Sequence, residues 1–395
     1  MSRARTLATQ LRDSSKLIIA ATHAVTDTVE AMHHRIASGP LLLNQPFEPI
    51  VKALTAPSYK AIRHIVHAVG QGIDLGLAKL SPLNEQPEMK PGPLLAAING
   101  VWGDYLAVTQ SSLAIEMTIL HRGQDLLVGE APLAIPGSKY RRIAIFLHGS
   151  STDESCWQRK GFDYAAALEN DCGLLPLHLR YNSGLHISQN GRALSNLLQD
   201  LVAKWPTKIE EIIVIGHSMG GLIARSACHY GETSRKSWRP LLSKLITLGS
   251  PHHGSPLEQA GNWLETVINL HPYSEPIGRL GRIRSAGITD LRYGNILDED
   301  WIGKDRFQRT TDPRVHVPLP SGVECYAIAA TLGKDQTSVL GDGLVPVKSA
   351  LGIHQDPRLS LDFPESRRAV IHDASHLDLL SSDGAYRLLS NWCRG

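Results

Sequence analysis

One stretch, residues 212–227 of the 395-residue chain, limits what the rest can fold into. Ile212-Ile213-Val214-Ile215 runs directly into Gly216-His217-Ser218-Met219-Gly220-Gly221, and the chain continues Leu222-Ile223-Ala224-Arg225-Ser226-Ala227. A short β-branched run, a glycine cluster and a run of helix formers predict a strand, a tight turn and a helix. A serine on such a turn stands proud of its sheet, because the flanking glycines admit strained angles and let helix and strand approach closely. The bare pattern G-x-S-x-G arises easily by chance. The strand before it and the helix after it carry the reading of Ser218 as a nucleophile on an elbow, against the simpler reading of a glycine-rich turn that closes a strand.

Other apolar segments alternate with helical sequence in the same way: Ile143–Leu147, Leu174–Leu179, Leu245–Leu248, Tyr326–Ala330 and Ala369–Ile371. Six such strands with crossovers between them imply a mostly parallel sheet with helices on both faces. Alternation over Leu113–His121, then Arg122-Gly123 and Leu126-Leu127-Val128, predicts a β-hairpin and raises the total to eight strands. The fold class is therefore α/β, with its core over residues 94–255 and 322–395. Between these parts, residues 256–321 are expected to form a cap inserted over the C-terminal edge of the sheet, where such folds bind ligands. Its apolar stretch Trp263, Leu264, Val267, Ile268, Leu270 would line the substrate channel, with Trp263 and Leu264 as substrate-binding residues. Residues 1–93 read as a helical extension. Apolar spacing predicts amphipathic helices over Leu7–Met32 and from Tyr59 to Val69, followed by a linker broken by Pro82, Pro87, Pro91 and Pro93.

A serine hydroxyl is a weak nucleophile at neutral pH, so it needs a base within reach and an acid to orient that base. After Tyr326–Ala330 comes Gly341-Asp342-Gly343, and after Ala369–Ile371 comes His372-Asp373-Ala374-Ser375-His376. The order Ser218, Asp342, His376 is that of the α/β-hydrolase fold. His376 is preferred to His372 as base, because a loop beyond the strand is needed to reach the serine. An oxyanion hole requires two fixed N–H donors. Met219, at a helix N-terminus, offers one, and Ser150 in the loop His148-Gly149-Ser150-Ser151 offers the other. The histidine pairs His252-His253 and His33-His34 lack metal-ligand spacing, so neither metal nor cofactor is expected.

Composition removes several alternatives. With 40 Lys+Arg against 38 Asp+Glu the formal charge is +2, without basic runs, which argues against nucleic acid as a partner. Cys156, Cys172, Cys228, Cys325 and Cys393 are widely spaced and odd in number, unlike a disulfide framework. There is no apolar run of about 18 residues to span a bilayer, and Leu17–Ala21 is shorter than the roughly 7–15 residues of a signal core. The expectation is a cytoplasmic protein, or one that touches membranes peripherally through its N-terminal helices.

Leu147-His148-Gly149, Leu179-Arg180-Tyr181-Asn182-Ser183-Gly184, Gly216–Gly221, Leu248-Gly249-Ser250-Pro251-His252-His253-Gly254, Gly341–Pro346 and Ser375–Leu380 form a recurring set. Through them the chain resembles bacterial serine esterases and lipases of the α/β-hydrolase superfamily. Within it, the chain is similar to the lipase-type branch that includes GPI inositol-deacylase-like proteins. The resemblance covers roughly residues 140–254 and 323–380, and it implies the Ser218, Asp342, His376 triad with a hydrophobic acyl pocket under a mobile insertion. The expected activity is cleavage of a small-molecule or lipid carboxylic ester through an acyl-enzyme. The alternatives are a thioesterase or amidase on the same triad, or a binding protein that keeps the fold without catalysis.

Overall fold

The apolar runs become the strands of one sheet in a computed structural model that describes residues 13, 16, 92–126, 140–255, 284–305, 312, 314–333 and 341–394. The chain divides into two compact units. The first comprises Met1–Lys90, Thr109–Leu113 and Arg279–Arg282, and the second the remainder. In the first, Asp13 and Lys16 are helical and pair at 3.9 Å, one turn apart. The rest of the helices expected within 7–32 and 59–69, with His33 and His34, lies outside the described residues.

The second unit holds strands β1 (Thr118–His121), β2 (Gln124–Leu126), β3 (Arg142–Leu147), the short ribbon β4 (Gln158–Arg159) and β5 (Phe162–Asp163), and then β6 (Leu175–Arg180), β7 (Glu211–His217), β8 (Leu242–Leu248), β9 (Glu324–Ala330) and β10 (Arg368–Ile371). All but the ribbon form an eight-stranded sheet in the order β10-β9-β8-β7-β3-β6-β1-β2. Pairing is parallel from β10 across to β6, and only β1 runs against its two neighbours. The hairpin is shorter than its alternation suggested. Ile115 N–H donates at 2.9 Å to the side chain of Asn99 and so spends its hydrogen bond outside the sheet, while Leu127 and Val128 lie outside the described residues. Arg122 and Gly123 turn the hairpin at φ 50° and 75°, the left-handed angles that a two-residue connection demands.

Helices α1 (Pro93–Val108), α2 (Tyr164–Cys172), α3 (Ile187–Lys204), α4 (Met219–Thr233), α5 (Ala286–Asp290), α6 (Val347–Ala350) and α7 (Asp383–Arg394) surround the sheet. On one face Ala144, Phe146, Ile213, Ile215, Ile246 and Leu248 meet Tyr164 and Leu168 of α2 and Ala385, Leu389 and Cys393 of α7. Their chain neighbours Ile143, Ile145, Ile212 and Val214 point the other way, as a period of two requires, and are equally buried. Burial on both faces explains why these strands read as unbroken apolar runs. Within the described part of segment 256–321, Ser285 Oγ donates to the Gly100 carbonyl at 2.6 Å and Ala286 N–H to Asp104 at 3.0 Å, which ties α5 to α1. No helix among the described residues is long and apolar enough to cross a membrane.

From β3 the chain goes to β6 on one side and then crosses back to β7 on the other, so the strand order reverses between β3 and β7. Sheets of this kind open a crevice at that point, beyond the carboxyl ends of the strands. Helix α4 starts there and lies hard against β3: a Cβ added to Gly220 would come within 2.6 Å of the carbonyl oxygens of both Leu147 and His148. Gly220→Ala is therefore expected to destabilise the protein by roughly 1–3 kcal/mol, as overpacking against backbone does. Urea unfolding measures this, and an unchanged midpoint would contradict the packing described.

Candidate active site

Ser218 follows β7 and precedes α4 with φ 54° and ψ −124°. Such angles cost an L-residue about 1–3 kcal/mol and persist only where the surroundings enforce them. Here Ser218 N–H donates to the Leu248 carbonyl at 2.8 Å and its own carbonyl accepts from Gly221 N–H at 3.1 Å. The reversal leaves no room at its base, since a Cβ on Gly216 would lie 2.5 Å from Gly221 N. The predicted strand, turn and helix are thus all present at this position.

The loops after β9 and β10 are zipped to one another. Thr331 N–H donates to Ile371 O at 2.9 Å, Ala374 N–H to Thr331 O at 3.0 Å, and His376 N–H to Asp342 O at 3.0 Å. This brings His376 Nδ1 to 2.7 Å from Asp342 Oδ2. The Asp342 carboxylate has no solvent exposure, and its other oxygen accepts from Leu344 N–H at 2.9 Å and Val345 N–H at 2.8 Å. An ionised carboxylate only accepts, so His376 carries its proton on Nδ1 and presents Nε2 as the basic nitrogen. His372, by contrast, lies just past the end of β10 and is exposed.

Two contacts set His376 against residues that flank or hold Ser218. Its ring packs over Gly249, where a Cβ would come within 3.1 Å, and Gly249 follows the Leu248 whose carbonyl holds Ser218. On the other side His217 Nε2–H donates to the His376 carbonyl at 3.1 Å, with ring centroids 4.6 Å apart. Burial, then the nearby His376, pushes the His217 imidazole well below its ordinary pKa, so it stays neutral. The prop formed by His217 was not read from the sequence, because it works through a backbone carbonyl and no residue spacing encodes that.

The loop after β3 is clamped from β6. Tyr181 OH donates to the His148 carbonyl at 2.6 Å, its ring stacks on the His148 imidazole at 4.0 Å, and Ser151 N–H donates to Ser183 Oγ at 3.0 Å. Ser150 and Met219 are both buried, and Gly149 lets the loop approach Ser218, where a Cβ would sit 3.1 Å from the serine Cβ. Among the described residues the Ser150 N–H has no backbone acceptor, and the Met219 N–H belongs to the first helical turn, whose donors have no partner within the helix. The Tyr181-Asn182-Ser183 segment is therefore the support of this loop. Trp263 and Leu264 lie outside the described residues. The five cysteines are free thiols.

The turn that carries His376 is anchored by buried Leu377, Leu379 and Leu380 and by Asp378, which accepts from Ser375 N–H at 3.1 Å and Ser375 Oγ at 2.6 Å and pairs with Lys160 at 2.7 Å. Asp378 opens only a single 3₁₀ turn, and the last helix starts later, at Asp383. The bond from Lys160, then that from Ser375, holds the Asp378 carboxyl at about 2, below its ordinary 3.8. A depressed folded value stabilises the protein above the unfolded pKa, and that contribution is lost as pH falls through the folded one. Asp378→Asn is accordingly expected to lower the thermal midpoint at neutral pH, with the gap to wild type closing between about pH 4 and about pH 2. Midpoints recorded across that range check this; a gap independent of pH would contradict it.

Residues 184–318 match the family model described as a PGAP1-like alpha/beta domain. None of the curated proteins matches the sequence. Among solved structures, the chain is similar to a Bacillus licheniformis lipase in its mature form, at 16% identity and a TM-score of 0.42, over 70% of this chain and 98% of that one. It is also similar to the phospholipase PlaB of Legionella pneumophila (20% identity, TM-score 0.36, 53% and 45% covered) and to lipase B of Aspergillus fumigatus (13%, 0.40, 67% and 56%). The fold itself stands on the sheet topology and the geometry of the turn at Ser218. Strand order and the elbow at Ser218 are those of the α/β-hydrolase fold, and residues 184–318 are similar to the PGAP1-like family within it.

Proposed function

We propose that this chain hydrolyses carboxylic esters as an esterase or lipase, through an acyl-enzyme on Ser218. The observation that carries the reading is the buried His376–Asp342 bond, set beside a strained serine at the point where the strand order reverses. In the proposed cycle His376 Nε2 takes the proton of Ser218 Oγ as that oxygen attacks the ester carbonyl carbon. Asp342 keeps the imidazole in its tautomer and stabilises the imidazolium. The tetrahedral oxyanion accepts from the N–H groups of Met219 and Ser150, which are fixed before charge develops. His376 then returns the proton to the departing alcohol oxygen and the C–O bond breaks, leaving the acyl group on Ser218. A water deprotonated by His376 attacks this second ester, and collapse releases the acid and restores the serine.

The strained backbone at Ser218 supports the reading on its own account. Strain is tolerated where it aims a reacting group, and the surrounding backbone bonds over-determine this one. A leaving thiolate or amine would pass through the same steps, so a panel of p-nitrophenyl esters of rising chain length, with a thioester and an anilide beside them, identifies the preferred class. Esters are expected to turn over fastest. Ser218→Ala should lower kcat by roughly 10⁴–10⁶, as loss of a nucleophile that acts as a unit with its base does. A Ser218→Ala variant that keeps a tenth of the wild-type rate would overturn the mechanism. Because side chains and backbone N–H groups carry every step, turnover is expected to survive EDTA; loss of activity restored by a divalent metal would contradict this.

A further inference from the structure

Two turns beyond the serine, helix α4 carries Arg225 into the interior, where it is only 5% exposed. Its Nη2 donates to the Val317 carbonyl at 2.6 Å and its Nη1 to His252 Nδ1 at 3.5 Å, while its Nε–H, also buried, has no acceptor. Among the described residues no carboxylate bonds to it, and the buried Asp300 acts on it only through space. Arg314, nearby, differs in being matched: Asp312 accepts from its Nε at 2.9 Å and from its Nη2 at 2.6 Å. Burial, then the charge of Arg314, lowers the Arg225 guanidinium to about 10, which still leaves it protonated at neutral pH. A buried, unmatched charge is costly, and a guanidinium cannot shed it by titration near neutrality.

The imidazoles around it do not compensate. Arg314 donates to His253 Nδ1 at 3.3 Å, and a guanidinium only donates, so both His252 and His253 accept on Nδ1 and carry their protons on Nε2. His252 Nε2–H is satisfied by Thr247 Oγ1 at 3.3 Å. His253 Nε2–H is buried and makes no well-formed hydrogen bond, although the Gly352 backbone interacts with the ring. Burial is the main cause that pushes both rings below their ordinary values, His253 to about 3, so they stay neutral donors. These four side chains, with His316 and Leu361, line a cavity of about 20 Å³ that opens beside the exposed Val315. Two orphaned donors and one unmatched positive charge therefore border a space with room for a single water-sized occupant.

We propose that this cavity is a binding site for one small inorganic anion of chloride's size, held by Arg225 and by the Nε2–H of His253. Room for about one water-sized occupant suits a monatomic anion better than an organic acid, and two guanidinium groups repel a metal cation. The histidine pair that looks like a metal motif in the sequence thus becomes half of an anion site. Bound there, the ion would tie α4 to the turn 249–254, whose first residue lies under the His376 ring.

Two measurements on the full chain test this. Crystals soaked in sodium bromide are expected to show an anomalous peak in the cavity. In solution, the thermal midpoint of the wild type should be a few degrees higher in sodium chloride than in sodium gluconate at equal ionic strength, because a ligand that binds only the folded state stabilises it. Arg225→Leu and His253→Leu should each abolish that difference; if Arg225→Leu does not fold, His253→Leu carries the comparison. A cavity without anomalous signal overturns the proposal. So does a chloride effect of equal size in wild type and variants, and a bromide peak without any chloride effect in solution marks an adventitious ion only.

Discussion

The close approach of α4 to the ends of β3 and β7 is the constraint on which the rest of the site depends. A helix that starts one residue after a strand has to reverse the chain within a hydrogen's width of the neighbouring backbone, and glycines at 216 and 220 leave that width. The reversal forces Ser218 into a strained conformation, fixes its N–H on Leu248, and places the loop after β3 against the serine through Gly149. Everything else in the site is arranged around a point that the backbone has already determined. The same geometry sends α4 inward, which is why its second turn buries Arg225 against the turn after β8.

Around this point the polar groups are satisfied in an ordered chain. Leu344 and Val345 hold Asp342, Asp342 holds His376, and His217 holds the His376 backbone. Each link is buried, and in a medium of low polarity such bonds gain strength while an unmet partner becomes expensive. The loop after β3 has its own support in Tyr181 and Ser183. Buried polar atoms without a partner remain at His148 Nε2, His217 Nδ1 and Ser250 Oγ, and Arg225 and His253 add two unmet donors beside one cavity.

Much of this was legible in the sequence, for reasons that can be named. Strands buried on both faces appear as unbroken apolar runs, so the six parallel strands fall where Ile143–Leu147 and its fellows predict. Their ends were not legible, because the sheet continues into polar residues whose partners are distant in sequence: β8 starts at Leu242 and includes buried Lys244, which pairs with Glu211 of β7 at 3.7 Å. Ser218, Asp342 and His376 stand out in the sequence because a triad would need those residue types after those strands, and the structure sets Asp342 against His376. Tyr181, Ser183 and His217 were not readable as supports, since they act on backbone groups. Arg225, in a run of helix formers, gives no sign in the sequence that it is buried without a carboxylate.

The central claim is that Ser218 is the nucleophile and His376 its base. A fluorophosphonate probe, which phosphonylates only an activated serine, reads both at once when the labelled peptide is located by mass spectrometry. The account predicts label on Ser218 alone, at a wild-type rate in a folded His372→Ala variant and at a rate reduced by orders of magnitude in a folded His376→Ala variant. Label on another serine, or loss of labelling in His372→Ala while His376→Ala reacts normally, would contradict it.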